Sequence, residues 1–395
     1  MMLTDKTVVL GITGGIAVYK AADIASKLNQ AGARVYVVMT EAATKFVTPL
    51  TLRTLTGQPV STDVFESYSG LGIGHITLAR MADVVAIVPA TANTIAKLAA
   101  GIADNLLGCV VLATRAPVMV APSMESNMFQ NPVTQGNLAK LRERGFTIIE
   151  PASGRLASGK VGVGRLPETE VIIGAICQVL GRGGDLAGRR IVVTAGGTRE
   201  PIDPVRHIGN RSSGKMGYAI ASAARDRGAL VSLITASASL AEPAGVKVVR
   251  VETAAQMEAA VTGKVARADV LIMAAAVADY QAKKIAGAKI KKAAPDLTLE
   301  LVRTPDILAG VKGDFLRVGF AAESQDVVAG ARRKLKRKRL DLIVANDITD
   351  AESGFDVDTN RVTIIGRDGN EESLPLLSKR EVAERILDRV AGLLG

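Results

Sequence analysis

The sequence has no tryptophan, and phenylalanine and tyrosine make up only 3% of its 395 residues. Single-stranded nucleic acids are held largely by stacking bases on aromatic faces, so such a platform is scarce here. Cysteine is nearly absent, at Cys109 and Cys177. Neither lies in CxxC or Cys/His spacing, which argues against zinc or a disulfide scaffold and for two buried thiols. No apolar run reaches the roughly 18 to 20 residues that cross a bilayer. Met1 to Leu10 carries Asp5 and Lys6 where a signal peptide needs an apolar centre. The expectation is a cytoplasmic protein with no membrane partner. Also missing is the GxGxxG fingerprint, and Thr40 stands where a ribose-binding acid would end the second strand. Both absences disfavour NAD.

What is present describes a globular chain. Hydrophobic residues make up 48% and charged ones 22%, enough to bury a core in each half. At 395 residues two or three domains are expected. The net charge of +10 admits nucleic acid, an anionic membrane or small polyanions as partners. With few aromatics, small polyanions fit best and nucleic acid is not expected. The basic runs Lys283–Lys292 and Arg332–Arg339 read by default as solvated faces.

Ile191 to Gly217, IVVTAGGTREPIDPVRHIGNRSSGKMG, is the stretch densest in anion-binding groups. A β-branched run breaks at Ala195-Gly196-Gly197-Thr198, and Arg199, Arg206, Asn210, Arg211, Ser212, Ser213 and Lys215 follow. Glycine-freed amides and guanidinium forks both suit phosphate oxygens. A second unit of this kind opens the chain. Thr7 to Leu10 reads as a strand, GITGG (11 to 15) as a tight loop, and Ile16 to Gln30 as a helix with Ile16, Ile24 and Leu28 on its buried face. Such a βαβ start suits a mononucleotide phosphate at the helix N-terminus.

Gly70 to His75 reads as a glycine-rich loop that ends on one of two histidines. Pro89 to Thr94, PATANT, turns off the strand Val84 to Val88. Gly154 to Arg165, GRLASGKVGVGR, has too few apolar residues for a core element and reads as a mobile flap. A glycine-rich break at Gly181 to Asp185 places a boundary near Gly188. Both halves read as α/β, doubly wound domains. In the second, Asp279 follows the strand Val270 to Ala274 at its ligand-binding carboxyl end, and Lys289-Ile-Lys-Lys292 supplies cations. Lys334 and Lys338 are one helical turn apart and can reach one anion together. Glu352 to Gly369 and the closing helix Ser378 to Leu394 carry no functional signal.

GITGG, PATANT, GIADNLL (101 to 107), TAGGTREPIDPVR and VANDI (344 to 348) occur in this order along nearly the whole chain. In them the sequence resembles the bifunctional coenzyme A biosynthesis family, a phosphopantothenoylcysteine decarboxylase fused to a phosphopantothenate-cysteine ligase. The resemblance implies a flavodoxin-like FMN domain at 1–187, with Gly14, Gly15, Thr40, Thr91 and Asn93 binding FMN and His75 catalytic. It also implies a Rossmann-like ligase domain at 188–395. There CTP and Mg2+ would activate 4′-phosphopantothenate as an acyl-cytidylate, which cysteine then attacks. Asn210 would stabilise that intermediate, Lys289 would assist its formation, and Arg206 would serve the second half-reaction. CTP contacts are implied for Met273, Ala274, Ala275, Asp279, Lys289, Thr304, Pro305, Asp306, Ile307, Phe320, Lys334 and Lys338, with Asp279 also on the metal. The family's assembly implies a homo-oligomer of flavin-domain trimers and ligase-domain dimers.

Two positions depart from the family pattern. Glu125 stands where its motif has a substrate-contacting asparagine, and Ser158 replaces the flap cysteine that acts as proton donor. A carboxylate repels a substrate carboxylate, and a hydroxyl is a far weaker acid than a thiol. An active decarboxylase and a ligase with an impaired flavin-binding or oligomerising first domain both stay open.

Overall fold

A computed structural model describes residues 3–65, 74–237, 239–291, 297–323, 326–347 and 357–395. The chain forms two compact units, Met1–Gly181 and Arg182–Gly395.

In the first unit six parallel strands run in the order Val60–Ser61, Arg34–Met39, Thr7–Ile12, Val84–Ala90, Val118–Pro122, Thr147–Ile148. The two central strands are buried along their entire length, as continuous apolar runs such as VVAIVPA require in a sheet covered on both faces. Alternation divides them: Val8, Leu10 and Ile12 join the core under the helices Val18–Gln30 and Thr169–Leu180. Val9 faces the opposite core with Ile95, Leu107 and Leu138. The helix Val18–Gln30 buries Val18, Ala21, Ile24, Ala25 and Leu28, an i, i+3, i+4 pattern. Ile16, expected on that face, precedes the helix and is exposed.

Gly154 to Arg165 forms most of an antiparallel hairpin, Ala152–Arg155 with Val161–Arg165. It stands outside the main sheet, as the expected flap would, but polar backbone contacts fasten its base. Gly164 O accepts from Met124 N–H at 3.0 Å, and Ser126 Oγ donates to Val163 O at 2.7 Å. A Cβ at Gly164, whose φ is +137°, would lie 2.2 Å from the backbone oxygen of Met124, so this close approach requires glycine.

The second unit repeats the plan. Its sheet runs Lys247–Arg250, Leu230–Thr235, Arg190–Ala195, Val270–Met273, Leu316–Glu323, Leu342–Asp347, then antiparallel Val362–Gly366 and Glu371–Ser373. In both units the strand order reverses beside the first strand. The carboxyl side of that reversal is where doubly wound sheets bind ligands. Arg380, in the first turn of the closing helix Lys379–Leu394, donates to Asp226 Oδ2 at 2.8 Å. Asp226 also pairs with its buried neighbour Arg225. Removing one member of such a buried set costs about 3–5 kcal/mol, so the start of the closing helix is firmly held.

No helix among the described residues is long and apolar enough to cross a membrane.

Candidate functional site

At the carboxyl edge of the first sheet, Thr13, Thr40 and Thr91 follow three adjacent strands. Thr13 is buried and joins two of the loops: its hydroxyl donates to Pro89 O at 2.8 Å and accepts from Thr91 N–H at 2.9 Å. Gly14 is pressed against the third, where a Cβ would lie 2.4 Å from Ala42 Cβ. Thr40 and Thr91 each cap a helix, accepting from Ala43 and Thr94 N–H at 3.3 Å. Gly15 lies beside Thr91, and Asn93 is exposed on the first turn of Ala92–Ala100. The helix Val18–Gln30 starts at Ala17 with no side-chain cap, the kind of N-terminus an anion can complete. These groups fit the phosphate end of a mononucleotide.

His75 differs from its expected setting. It sits in the first turn of the helix Gly74–Met81, while residues 70–73 of the glycine loop lie outside the described residues. That helix leads straight into Val84–Ala90, so its first turn lies at the same carboxyl edge. Nδ1 of His75 is buried and has no hydrogen-bond partner. A partnerless ring nitrogen costs stability unless a ligand or a transferring proton uses it.

Glu125 is not a free carboxylate. It caps the short helix Ser126–Gln130, accepting from Asn127 N–H at 2.6 Å. Asn127 is exposed, and Ser158 lies exposed in the turn at the tip of the hairpin. Of the two thiols expected to be buried, Cys177 is buried, whereas Cys109 is only partly so and donates weakly to Ala103 O at 3.5 Å.

The second unit holds a cavity of about 860 Å³ at the corresponding edge. Of the expected residues, Asn210, Met273, Ala274, Ala275, Asp279, Thr304, Pro305, Asp306, Ile307, Phe320, Lys334 and Lys338 all line it. Asn210, Asp279 and Thr304 to Asp306 lie on loops, Met273 and Phe320 on the strands Val270–Met273 and Leu316–Glu323, and Lys334 and Lys338 at the end of the helix Val327–Arg337, the edge where doubly wound sheets gather ligand-binding groups. Two buried threonines fix the central loop: Thr194 Oγ1 accepts from Ala275 N–H at 3.1 Å and Thr198 Oγ1 from Ala278 N–H at 2.9 Å. Asn210 Nδ2 donates to Val277 O at 3.0 Å, which orients its amide against the same loop. Lys334 donates to Phe320 O at 2.7 Å. Lys338 donates to Asp306 at 2.8 Å, so two expected nucleotide contacts pair with each other. Burial pushes the Asp306 carboxyl up, but Lys338, Ala309 N–H and the Arg337 charge outweigh it and hold it below its ordinary value.

Arg206 and Lys289 do not line the cavity. Lys289 is exposed, and Lys292 lies outside the described residues. What organises them is Asp203, which the sequence did not single out. Its side chain is fully buried and accepts from the N–H groups of Val205 and Arg206 at 2.8 Å, Ile290 at 3.1 Å and the Arg206 guanidinium at 3.2 Å. Arg206 also donates to Ile290 O at 3.2 Å. Burial alone would raise the Asp203 carboxyl, yet these donors hold it below its usual range. One carboxylate thus ties the Arg206 turn to the backbone beside Lys289.

Sequence reasoning passed over Asn360 and Lys379, which share the cavity wall with Lys215 of the anion-binding stretch and Asn346 of the VANDI motif. No group of three His, Cys, Asp or Glu able to hold a metal occurs among the described residues. Asp279 is an exposed carboxylate on the wall, and one such group plus substrate phosphates is a usual way to hold Mg2+.

Residues 1–181 match the family described as Flavoprotein, and residues 186–394 match the DNA/pantothenate metabolism flavoprotein C-terminal domain. Among curated proteins, the chain is 46% identical over 398 residues to the coenzyme A biosynthesis bifunctional protein CoaBC of Bacillus subtilis (strain 168), covering 99% of this chain and 98% of that one. The protein of the same name from Escherichia coli (strain K12) is 45% identical, with 99% and 98% covered. That from Mycobacterium tuberculosis (strain ATCC 25618 / H37Rv) is 46% identical, with 98% and 97% covered.

Proposed function

The chain belongs to the coenzyme A biosynthesis bifunctional family, and from that membership we propose how its two sites work. The protein is a bifunctional enzyme, a flavoprotein decarboxylase joined to a phosphopantothenate-cysteine ligase. The proposed limits of the domains are 1–187 and 188–395.

In the ligase domain, CTP and 4′-phosphopantothenate occupy the 860 Å³ cavity, and the carboxylate of the latter displaces pyrophosphate to give an acyl-cytidylate. The attack gathers negative charge on the transferring phosphorus, so cations must meet it there. Lys334, Lys338 and Phe320 receive the nucleotide together with Met273 to Ala275 and Thr304 to Ile307. Asp279 would hold Mg2+, which would supply positive charge to offset that of the nucleotide phosphates. Asn210 presents its amide to the acyl-cytidylate. Lys289 approaches during its formation, and Arg206 serves the attack by the cysteine amine that releases CMP.

In the decarboxylase domain, FMN binds at Gly14, Gly15, Thr40, Thr91 and Asn93, its phosphate at the uncapped start of Val18–Gln30. The flavin, when bound, supplies the two-electron chemistry that loosens the substrate carboxylate. His75 accepts the thiol proton of the substrate through its partnerless side. Ser158 stands at the proton-donor position of the flap. Glu125 and Ser158 favour a second reading, in which this half binds FMN but turns over slowly.

We place the enzyme in the cytoplasm as a homo-oligomer, without nucleic-acid or membrane partners. The observation that carries the ligase reading is the convergence of Asn210, Asp279, Lys334 and Lys338 on one cavity. Asn210→Asp tests it. A carboxylate facing Val277 O repels where the amide bonded, so CTP-dependent amide formation should be lost while the FMN absorbance stays. Full ligase activity in that variant would refute the assignment.

A further inference from the structure

We propose that Asn360, Lys215 and Lys379 form a phosphoryl-binding end of the ligase cavity, a subsite for one of its two phosphorylated substrates. The proposal rests on the ligase reading and extends it to residues outside the nucleotide contacts named above.

Three observations meet at this end of the wall. Asn360 is 5% exposed, yet its amide is almost unused: Oδ1 has no hydrogen-bond partner and Nδ2 reaches only Met216 Sδ at 4.0 Å. A buried amide left this way costs stability unless a ligand completes it. A half-turn of the amide exchanges its ends, so Nδ2 can be offered to an oxygen without losing a strong bond.

The second observation concerns the helix starts. The helices Lys215–Asp226 and Lys379–Leu394 both begin on this cavity wall, and both begin with lysine. The N-terminal end of a helix carries partial positive charge, and cations are disfavoured there. The start of Lys379–Leu394 is already closed by the Ser378–Glu381 capping box, so the opening left for an anion is the uncapped start of Lys215–Asp226, with Lys379 on the same cavity wall. Lys215 follows Gly214, which is in the left-handed region at φ +83° with no side-chain cap.

Third, Lys379 is a buried cation, 7% exposed. Its ammonium donates to Val357 O, and its N–H donates to Asp358 O at 2.9 Å. Lys215 pairs with the Asp358 carboxylate at 2.8 Å. That carboxylate is 88% exposed and can swing aside when a phosphate competes for Lys215. Charge-assisted bonds to phosphate oxygens outweigh a solvated surface pair of this kind.

The phosphates of CTP and the 4′-phosphate of phosphopantothenate share the required chemistry, and binding measurements separate them. Full-length protein is titrated in a calorimeter with CTP-Mg2+ and with 4′-phosphopantothenate, as wild type, Asn360→Asp and Lys379→Gln. Replacing an amide donor by a carboxylate should weaken the resident phosphate about 10- to 100-fold. Weakening confined to CTP assigns the subsite to the nucleotide; weakening confined to phosphopantothenate assigns it to the acid substrate. Unchanged affinity for both in Asn360→Asp overturns the proposal, and Lys379→Gln decides in the same way should Asn360→Asp not fold. Wild type that binds neither substrate would instead sink the ligase reading itself.

Discussion

Gly197→Ala adds a single methyl at the point where the glycine turn passes the backbone of Asn210. An ideal Cβ there lies 2.3 Å from Asn210 O and 3.5 Å from Ser212 Cβ. Carbon and oxygen approach to about 3.3 Å at closest, so the Asn210 backbone must retreat by about 1 Å. The backbone of Gly197 is not left-handed, so alanine fits its conformation and the contact alone is tested. Retreat also strains the 3.0 Å bond from Asn210 Nδ2 to Val277 O, which aims the amide. A misplacement of about 1 Å at a reacting centre costs on the order of 100-fold in rate. We therefore expect CTP-dependent pyrophosphate release with phosphopantothenate to fall about 100-fold. The FMN spectrum and decarboxylation of supplied phosphopantothenoylcysteine should not change, since both belong to the other unit. A ligase rate within about twofold of wild type would show that the placement of Asn210 does not govern this chemistry.

Three further outcomes are expected. Asp203→Asn should slow acyl-cytidylate formation by acting through Lys289, so combining it with Lys289→Ala should add almost nothing to the loss from Lys289→Ala alone; additive losses would mean that Asp203 acts by another route. Asp306, with its carboxyl held below the ordinary value, stabilises the second unit fully above about pH 4 to 5 and loses that contribution as pH falls through its folded pKa. Thermal melts between about pH 6 and 3 should therefore steepen in wild type relative to Asp306→Asn, and identical pH profiles would dismiss the pair. Ser158→Cys should raise turnover of phosphopantothenoylcysteine to phosphopantetheine because a thiol donates its proton more readily than a hydroxyl. No increase would move the proton step away from the hairpin tip.

The doubly wound architecture was legible because buried parallel strands must be continuous apolar runs, and VVLGI and VVAIVPA are plainly that. The ligase cavity was legible where its residues follow strands within short motifs, as Asn210, Asp279 and Thr304 do. It was not legible at Asn360 and Lys379. A lone asparagine in a polar turn and a lysine opening a surface helix look ordinary until the chain returns them to the cavity wall, where Asn360 meets Met216 from 144 residues earlier. Asp203 was hidden in the same way, since its partner Ile290 is 87 residues away. The hairpin from Ala152 to Arg165 seemed loose because apolar content was taken as the measure of attachment. Its glycines instead permit backbone bonds that no hydrophobic pattern records. For Glu125 the sequence suggested repulsion of a substrate carboxylate but did not reveal that the side chain also caps the helix Ser126–Gln130.

Lys379 has a consequence in the time order of synthesis. The wall of the ligase cavity is incomplete until the start of the last helix has left the ribosome, whereas every strand of the flavin unit has by then been made. A chain cut short before Ser378 would carry the whole first unit and an open-sided cavity, so such a fragment should be yellow yet unable to join cysteine to its acid partner.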